Sequence, residues 1–572
     1  MEFSLGPYQK AVDARARELD ASNFAARLAS RDDTLWSEDP AHRAVARTRL
    51  GWLESPTLMR SEAEALRAFA AEVAGDGFTH AVLLGMGGSS LAPEVLRRTF
   101  GVRPGALDLE VLDSTSPAAV RELASRIELP RTFFLVSSKS GGTIEVSAFE
   151  KYFFEWTRAT LGDRAGRSFA AITDPGSPLA ALAQARGYRR TFLNPPTIGG
   201  RYSALSCFGL VPAALIGADV EALLDTALAE ARELGAGASA AQKPGLALGA
   251  ALGELALTGR DKVTLVLGEE LAALGSWIEQ LLAESTGKDG LGLVPVADEP
   301  LGPPSLYGAD RAFVAVTQRP FPPATESRLA ALRAAGHPVV RWTLPTLASL
   351  GAEFMRWEIA TATAGAVLGV DPFDEPNVTE SKQATQAVLA EALEAGRSPE
   401  TYWLAESDGI AIEAPVSVAD AIEARVADRE RTAEWLPALF GLERPGDYVA
   451  LCAFLHRTPA RHERLQRLRL ACRAATRLAT TLGYGPRFLH STGQLHKGGP
   501  NCAIILQLTA DDGHPVPIPG EHYDFAALIR AQAAGDYEVL ERRRRRVMRI
   551  HLGRDVERAL DALIEKVEAV GV

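Results

Sequence analysis

A chain of 572 residues that is 47% hydrophobic and carries a formal net charge of −11 has room for roughly two to four domains, each able to bury a core without disulfide help. The acidic balance argues against a general nucleic-acid partner, and the longest apolar run, CFGLVPAALIGA, is about half of what a membrane span needs. Four scattered cysteines (Cys207, Cys452, Cys472, Cys502) match no zinc or redox spacing, and MEFSLGPYQK has no secretory pattern, so a cytoplasmic protein is expected.

Residues 1–75 are predicted to be an N-terminal helical segment, with apolar positions at helical spacing in LRAFAAEVAG. Strands and helices then alternate: HAVLLG, LEVLDS, TFFLVSS and SFAAITD read as strands, and APEVLRRTF, PAAVRELASRI and GTIEVSAFEKYFFEWTRA as helices. Short apolar strands joined by helices predict an α/β fold with a doubly wound parallel sheet in three α/β/α layers, here over residues 76–218. Packed helices follow around 219–258, and a second alternating series (KVTLVLG, RAFVAVT, HPVVRWTL) predicts a second such domain over 219–397. Residues 398–572 are expected to form a C-terminal α/β extension, with DYVALCAFL and NCAIILQL as strands and ERLQRLRLACRAATRLATTLG as a helix. The basic run ERRRRRVMRIHLG, with Arg542 to Arg546 consecutive, reads as a solvated or interface helix. Asp536, Glu538 and Glu541 lie just upstream, and helical geometry would spread the arginines around the axis.

Two loops carry the first chemical signal. In LLGMGGSSLAPEVL a strand turns through Gly87, Gly88 and Ser89 into a helix, where glycines admit a ligand close to the backbone and helix-start amides favour an anion. VSSKSGGTIE repeats the arrangement two strands later, offering the hydroxyls of Ser138, Ser140 and Thr143 and the amides from Ser140 to Thr143. Either loop alone could be an ordinary helix cap. Two on one edge of a doubly wound sheet favour a phosphate monoester held without metal. The absence of GxxxxGK[ST] argues against a nucleotide triphosphatase.

Taken together, GMGGSSLAPEVL, SSKSGGTIE, IGGRYSALSCFGLVPAAL, WIEQLLAESTGKDGLGLVPV and GVDPFDEPNVTESK resemble the glucose-6-phosphate isomerase family, in that family's order. GPRFLHSTGQLHKGGPN is similar to its histidine-bearing segment. In typical members that segment lies between the ESTGK-like and FDEPNVTESK-like motifs, whereas here His490 follows Lys382. That order resembles the isomerase portion of transaldolase–isomerase fusion proteins. Residues 1–75 are too few for the other half, a barrel of ~250 residues, so no transaldolase activity is expected.

The resemblance implies two sugar-isomerase domains, a sugar-phosphate substrate, no cofactor and no metal. It also implies roles for individual residues. Glu284 would be the base that moves a proton between C2 and C1 through a cis-enediol; Arg201 would stabilise the enediolate; Lys382 and His490 would open the ring; Gln280 would touch substrate. From helical spacing alone, Gln280 lies one turn before Glu284 on the same face. His496 competes with His490 but lies outside the matching core. The family implies a homodimer, and the altered order leaves a monomer open if the extension supplies the histidine within one chain. The alternatives to a glucose/fructose 6-phosphate isomerase are an isomerase that also takes mannose 6-phosphate, and a non-catalytic sugar-phosphate-sensing module. Retention of Glu284, Arg201 and Lys382 together argues against the sensor.

Overall fold

The computed structural model describes residues 1–395, 403–407, 409–428, 432–511 and 513–569. In chain order its strands are β1 (Glu2–Ser4), β2 (His80–Gly85), β3 (Asp108–Leu112), β4 (Thr132–Ser137), β5 (Phe169–Thr173), β6 (Arg190–Leu193), β7 (Lys262–Leu267), β8 (Val294–Val296), β9 (Arg311–Thr317), β10 (Val339–Thr343), β11 (Ala405–Ser407), β12 (Ile410–Glu413), β13 (Tyr448–Phe454), β14 (Ala479–Tyr484), β15 (Ala503–Thr509) and β16 (Arg546–His551). They form three sheets, ordered β3-β2-β4-β5-β6, β1-β10-β9-β7-β8 and β11-β12-β16-β15-β13-β14. The first sheet is parallel throughout. The protein is therefore α/β, with parallel-sheet cores covered by helices.

Burial on both faces explains the continuous apolar runs. Along β2, Ala81 and Leu83 join the same core as Leu91 and Val95 of the helix Leu91–Phe100. Val82 and Leu84 join a different core with Phe149 and Phe153 of the helix Ile144–Leu161. The neighbouring strands β2 and β4 thus send their following helices to opposite faces. That divergence opens a crevice at their carboxyl ends, where doubly wound sheets bind ligands.

Three expectations are corrected. The N-terminal segment is not purely helical, because β1 pairs antiparallel with β10, Glu2 opposite Arg341, and closes an edge of the second sheet. The helix expected to run through ATTLG ends at Thr476, since Arg477 adopts φ +59°, a left-handed stop. Beyond it the β-branched Thr480 and Thr481 pair with β13. The arginine run is likewise no helix: the helix Phe525–Arg542 ends there, Arg544 has φ +53°, and Arg546 opens β16. Arg542 to Arg544 remain exposed, whereas Arg545 and Arg546 are buried. Arg546 makes two bonds to Asp447 (2.5 and 2.6 Å), and Arg543 binds Glu380 at 2.7 Å. No helix among the described residues is long and apolar enough to cross a membrane, and the four cysteines are free thiols.

Glu299 ties the third sheet to the second. Its buried carboxylate accepts two 3.0 Å bonds from Arg311 of β9 and one of 3.0 Å from Thr480 of β14, with Arg473 at 3.3 Å. Burial works to raise this carboxyl, but the three arginines Arg311, Arg469 and Arg473 hold it below the ordinary range. Its stabilisation is therefore present at neutral pH and is lost as acid protonates it. Glu299→Ala leaves buried guanidinium groups unpaired and should cost about 3–5 kcal/mol, read as a lowered urea midpoint. A change below about 1 kcal/mol, the range of a surface pair, contradicts this account.

Candidate functional site

The two glycine- and hydroxyl-rich loops flank the β2/β4 crevice. Gly87 has φ +54°, and a side chain there would press on Gln280 and His490. A Cβ on Gly88 would collide with the carbonyl of Gly200, so the absence of side chains lets the GMGGSS turn seat directly on the GGRYS turn. Ser89 is buried, and its carbonyl accepts a 3.2 Å bond from Ser137 at the end of β4. In the second loop the buried Ser138 pairs with Thr143 at 3.0 Å, and the amides of Gly141 and Gly142 donate to the hydroxyls of Ser138 and Ser140. Two of the amides expected to be free are thus capped by the loop's own serines. Ser140 is exposed and bonded within its own turn, whereas Thr143 lines the cleft.

Glu284 sits in the last turn of the helix Leu274–Thr286 and is 8% exposed. Gln280, one turn earlier, donates to Glu284 Oε2 at 3.0 Å and to the backbone carbonyl of His490 at 2.8 Å. Arg201 Nη1 lies 3.2 Å from Glu284 Oε1 and 3.1 Å from Glu375 Oε2. Burial pushes the Glu284 carboxyl above its ordinary value, Arg201 opposes the shift, and Glu375 adds to it. Arg201 is 4% exposed, and its other donors are committed as well: Nε to Ser285 at 2.9 Å, and Nη2 to the carbonyls of Pro372 and Asp374 at 2.8 Å each. Only the Nη1 hydrogens, facing two carboxylates, remain for a ligand to share.

His490 ends a short 3₁₀ turn, and its Nε2 lies 3.0 Å from Glu145 Oε1. The same oxygen accepts a 2.8 Å bond from Gln532, whose amide oxygen accepts one of 2.6 Å from Thr115. Burial alone would raise the Glu145 carboxyl, but the charge and hydrogen bond of His490, helped by Lys382, bring it below the ordinary value. An ionised Glu145 favours the tautomer with its proton on Nε2. Lys382 lies on the second turn of the helix Pro376–Ala395, exposed, and lines one cleft with Thr143, Glu145, His490 and Gln532. His496 lies elsewhere: it is buried beside Tyr448 and Phe488, and burial depresses its pKa to about 3. It is a core residue, outside the cleft.

Glu145, Glu375, Gln532 and Thr115 escaped sequence reasoning. Glu145 stands inside the quoted SSKSGGTIE motif, so a search for an acid able to orient a histidine could have found it. Gln532 carries no local signal.

The sequence profile of the phosphoglucose isomerase family matches residues 56–292, a span that includes Arg201, Gln280 and Glu284 but neither Lys382 nor His490. The glucose-6-phosphate isomerase of Rubrobacter xylanophilus is 31% identical over 419 residues, covering 65% of this chain and 93% of that protein. That of Symbiobacterium thermophilum is 31% identical over 390 residues, covering 59% and 86%. Among solved structures, a hypothetical protein from Thermus thermophilus matches with a TM-score of 0.57 at 27% identity, over 67% of this chain and 97% of its own. A glucose-6-phosphate isomerase from Chlamydia trachomatis matches in fold, with a TM-score of 0.50 at 20% identity over 65% and 78%.

Proposed function

The chain belongs to the glucose-6-phosphate isomerase family, and on that premise we propose that it interconverts glucose 6-phosphate and fructose 6-phosphate by proton transfer between C1 and C2. One observation carries the reading: Gln280 braces both the Glu284 carboxylate and the His490 backbone, so a buried base and a ring-opening group meet in one chain. In this scheme the Ser138–Thr143 and Gly87–Ser89 loops hold the phosphate. Lys382 and His490 exchange protons with the ring oxygen and O1. Glu284 then takes the C2 proton and returns it to C1, while Arg201 Nη1 steadies the enediolate oxygens. Burial that raises the Glu284 carboxyl suits a group that must both accept and return a proton.

The order of motifs supports a finer proposal, that the chain is akin to the isomerase portion of transaldolase–isomerase fusions, with the histidine supplied in cis. Free thiols favour a reducing compartment, in keeping with a cytoplasmic enzyme acting on a diffusing sugar phosphate. A coupled assay that follows glucose 6-phosphate formation from fructose 6-phosphate tests the activity. Saturable turnover supports it. Binding of the sugar phosphate without turnover would favour a sensing module instead.

Arg201→Lys should depress kcat by about 10²-fold or more, because a point charge cannot bond Ser285, two carbonyls and two carboxylates at once. Steady-state kinetics check it. A rise in KM with kcat unchanged would reassign Arg201 to substrate binding.

A further inference from the structure

The loop that holds Arg201, from Asp371 to Glu375, has a second partner on its outer side. His42, on the helix Pro40–Arg47, places Nδ1 3.6 Å from Asp371 Oδ2 and 3.7 Å from Asp374 Oδ2. Neither separation is a hydrogen bond, and the imidazole nitrogen has closed onto neither carboxylate. The three donor atoms lie within 4.8 Å of one another. A second observation singles out the centre of this triangle. The Asp371 side chain is 2% exposed and its Oδ1 accepts from the Phe373 amide at 2.9 Å, yet its Oδ2 is buried with no hydrogen-bond partner. An orphaned carboxylate oxygen aimed at an imidazole calls for a cation between them.

We propose that His42, Asp371 and Asp374 form a site for one divalent metal ion of the zinc class, which pins the helix Pro40–Arg47 to the Asp371–Glu375 loop that holds Arg201. Separations of 3.6 and 3.7 Å are close to the edge of a tetrahedron built on metal–ligand bonds of ~2.0–2.1 Å, about 3.3 Å. Small side-chain rotations complete it. An imidazole nitrogen with two carboxylate oxygens suits zinc rather than magnesium or calcium, which prefer oxygen donors alone. The His42 side chain is 44% exposed, which gives the ion a path from solvent and leaves the fourth position to water.

Charge around the loop points the same way. Four carboxylates, of Glu284, Asp371, Asp374 and Glu375, face two cations. Arg201 bonds Glu375 at 3.1 Å and lies 3.2 Å from Glu284, and Lys288 bonds Asp374 Oδ1 at 2.5 Å. Carboxylates thus outnumber the cations bonded around this loop, which favours uptake of a further cation. The ion is structural: it touches no residue assigned to proton transfer, and the isomerisation requires no metal.

The test uses the full chain, stripped with a chelator and titrated with zinc alone by calorimetry, with the unfolding midpoint as a second readout. One equivalent per chain should bind, and zinc should raise the midpoint. His42→Ala should weaken uptake by more than the ~10–100-fold that loss of an outer-shell partner costs, and should abolish the rise in midpoint. Asp371→Asn should behave alike. If that buried substitution fails to fold, the half-exposed His42 variant carries the test alone. Absence of saturable uptake overturns the proposal, as a merely protonated His42 predicts. So does undiminished binding to His42→Ala, which would move the ion away from this triangle.

Discussion

Glu284→Gln is expected to lower turnover of fructose 6-phosphate by about 10²–10⁴-fold while leaving affinity for a non-isomerisable hexitol 6-phosphate almost unchanged. The substitution is isosteric, and the amide oxygen can still accept the 3.0 Å bond from Gln280. What disappears is basicity. The loops proposed to hold phosphate lie on the first sheet, outside the helix that carries Glu284, so ligand capture should survive the loss of chemistry. Kinetics by coupled assay and binding by calorimetry separate the two quantities. Substantial residual turnover would remove Glu284 from the role of base. In the unmodified protein, Glu284 must be ionised to act as the proposed base, and burial raises its carboxyl. The acid limb of the kcat/KM profile should therefore fall at a higher pH than an ordinary glutamate would give.

His490→Ala should also cut turnover of the ring-closed sugar by about 10²–10⁴-fold, and mixing it with the Glu284→Gln chain should recover nothing. Gln280 bonds both Glu284 and the His490 carbonyl within a single chain, and Glu145 orients the imidazole from that same chain. A doubly defective mixture then contains no intact site. Recovery of activity on mixing would show that subunits exchange this segment. Glu145→Gln provides a finer check: it keeps a hydrogen-bond acceptor but removes the charge that fixes the tautomer. It should reduce kcat with little change in KM.

The central strands β2, β4 and β5 of the first sheet were legible because they are buried on both faces, which writes a continuous apolar run into the sequence. The short β6 and β8, and β1 closing an edge, carry too few residues to stand out. The β14 strand was hidden behind a helical run, and the turn that separates them rests on a single left-handed arginine. At the site, the spacing of Gln280 and Glu284 is local, and helical geometry alone puts them on one face. The His490–Glu145 pair spans 345 residues and depends on how the third sheet docks, a tertiary fact that no local pattern encodes. The burial of Arg546 in a strand was missed for the same reason: its partner Asp447 is distant in sequence.

The docked third sheet has a consequence for what the fold can be asked to do. His490 and Gln532 arrive on the C-terminal layer, whereas Glu284, its neighbour Arg201 and the two glycine- and hydroxyl-rich loops belong to the other two. On the proposed roles, the histidine's share of hemiacetal cleavage is then carried by a different part of the architecture from the hydrogen shift, while Lys382 works from the helix Pro376–Ala395. A variant disabled only in the C-terminal layer should keep most of its rate on sugar phosphates that already exist as open chains, and lose it on those that arrive cyclised.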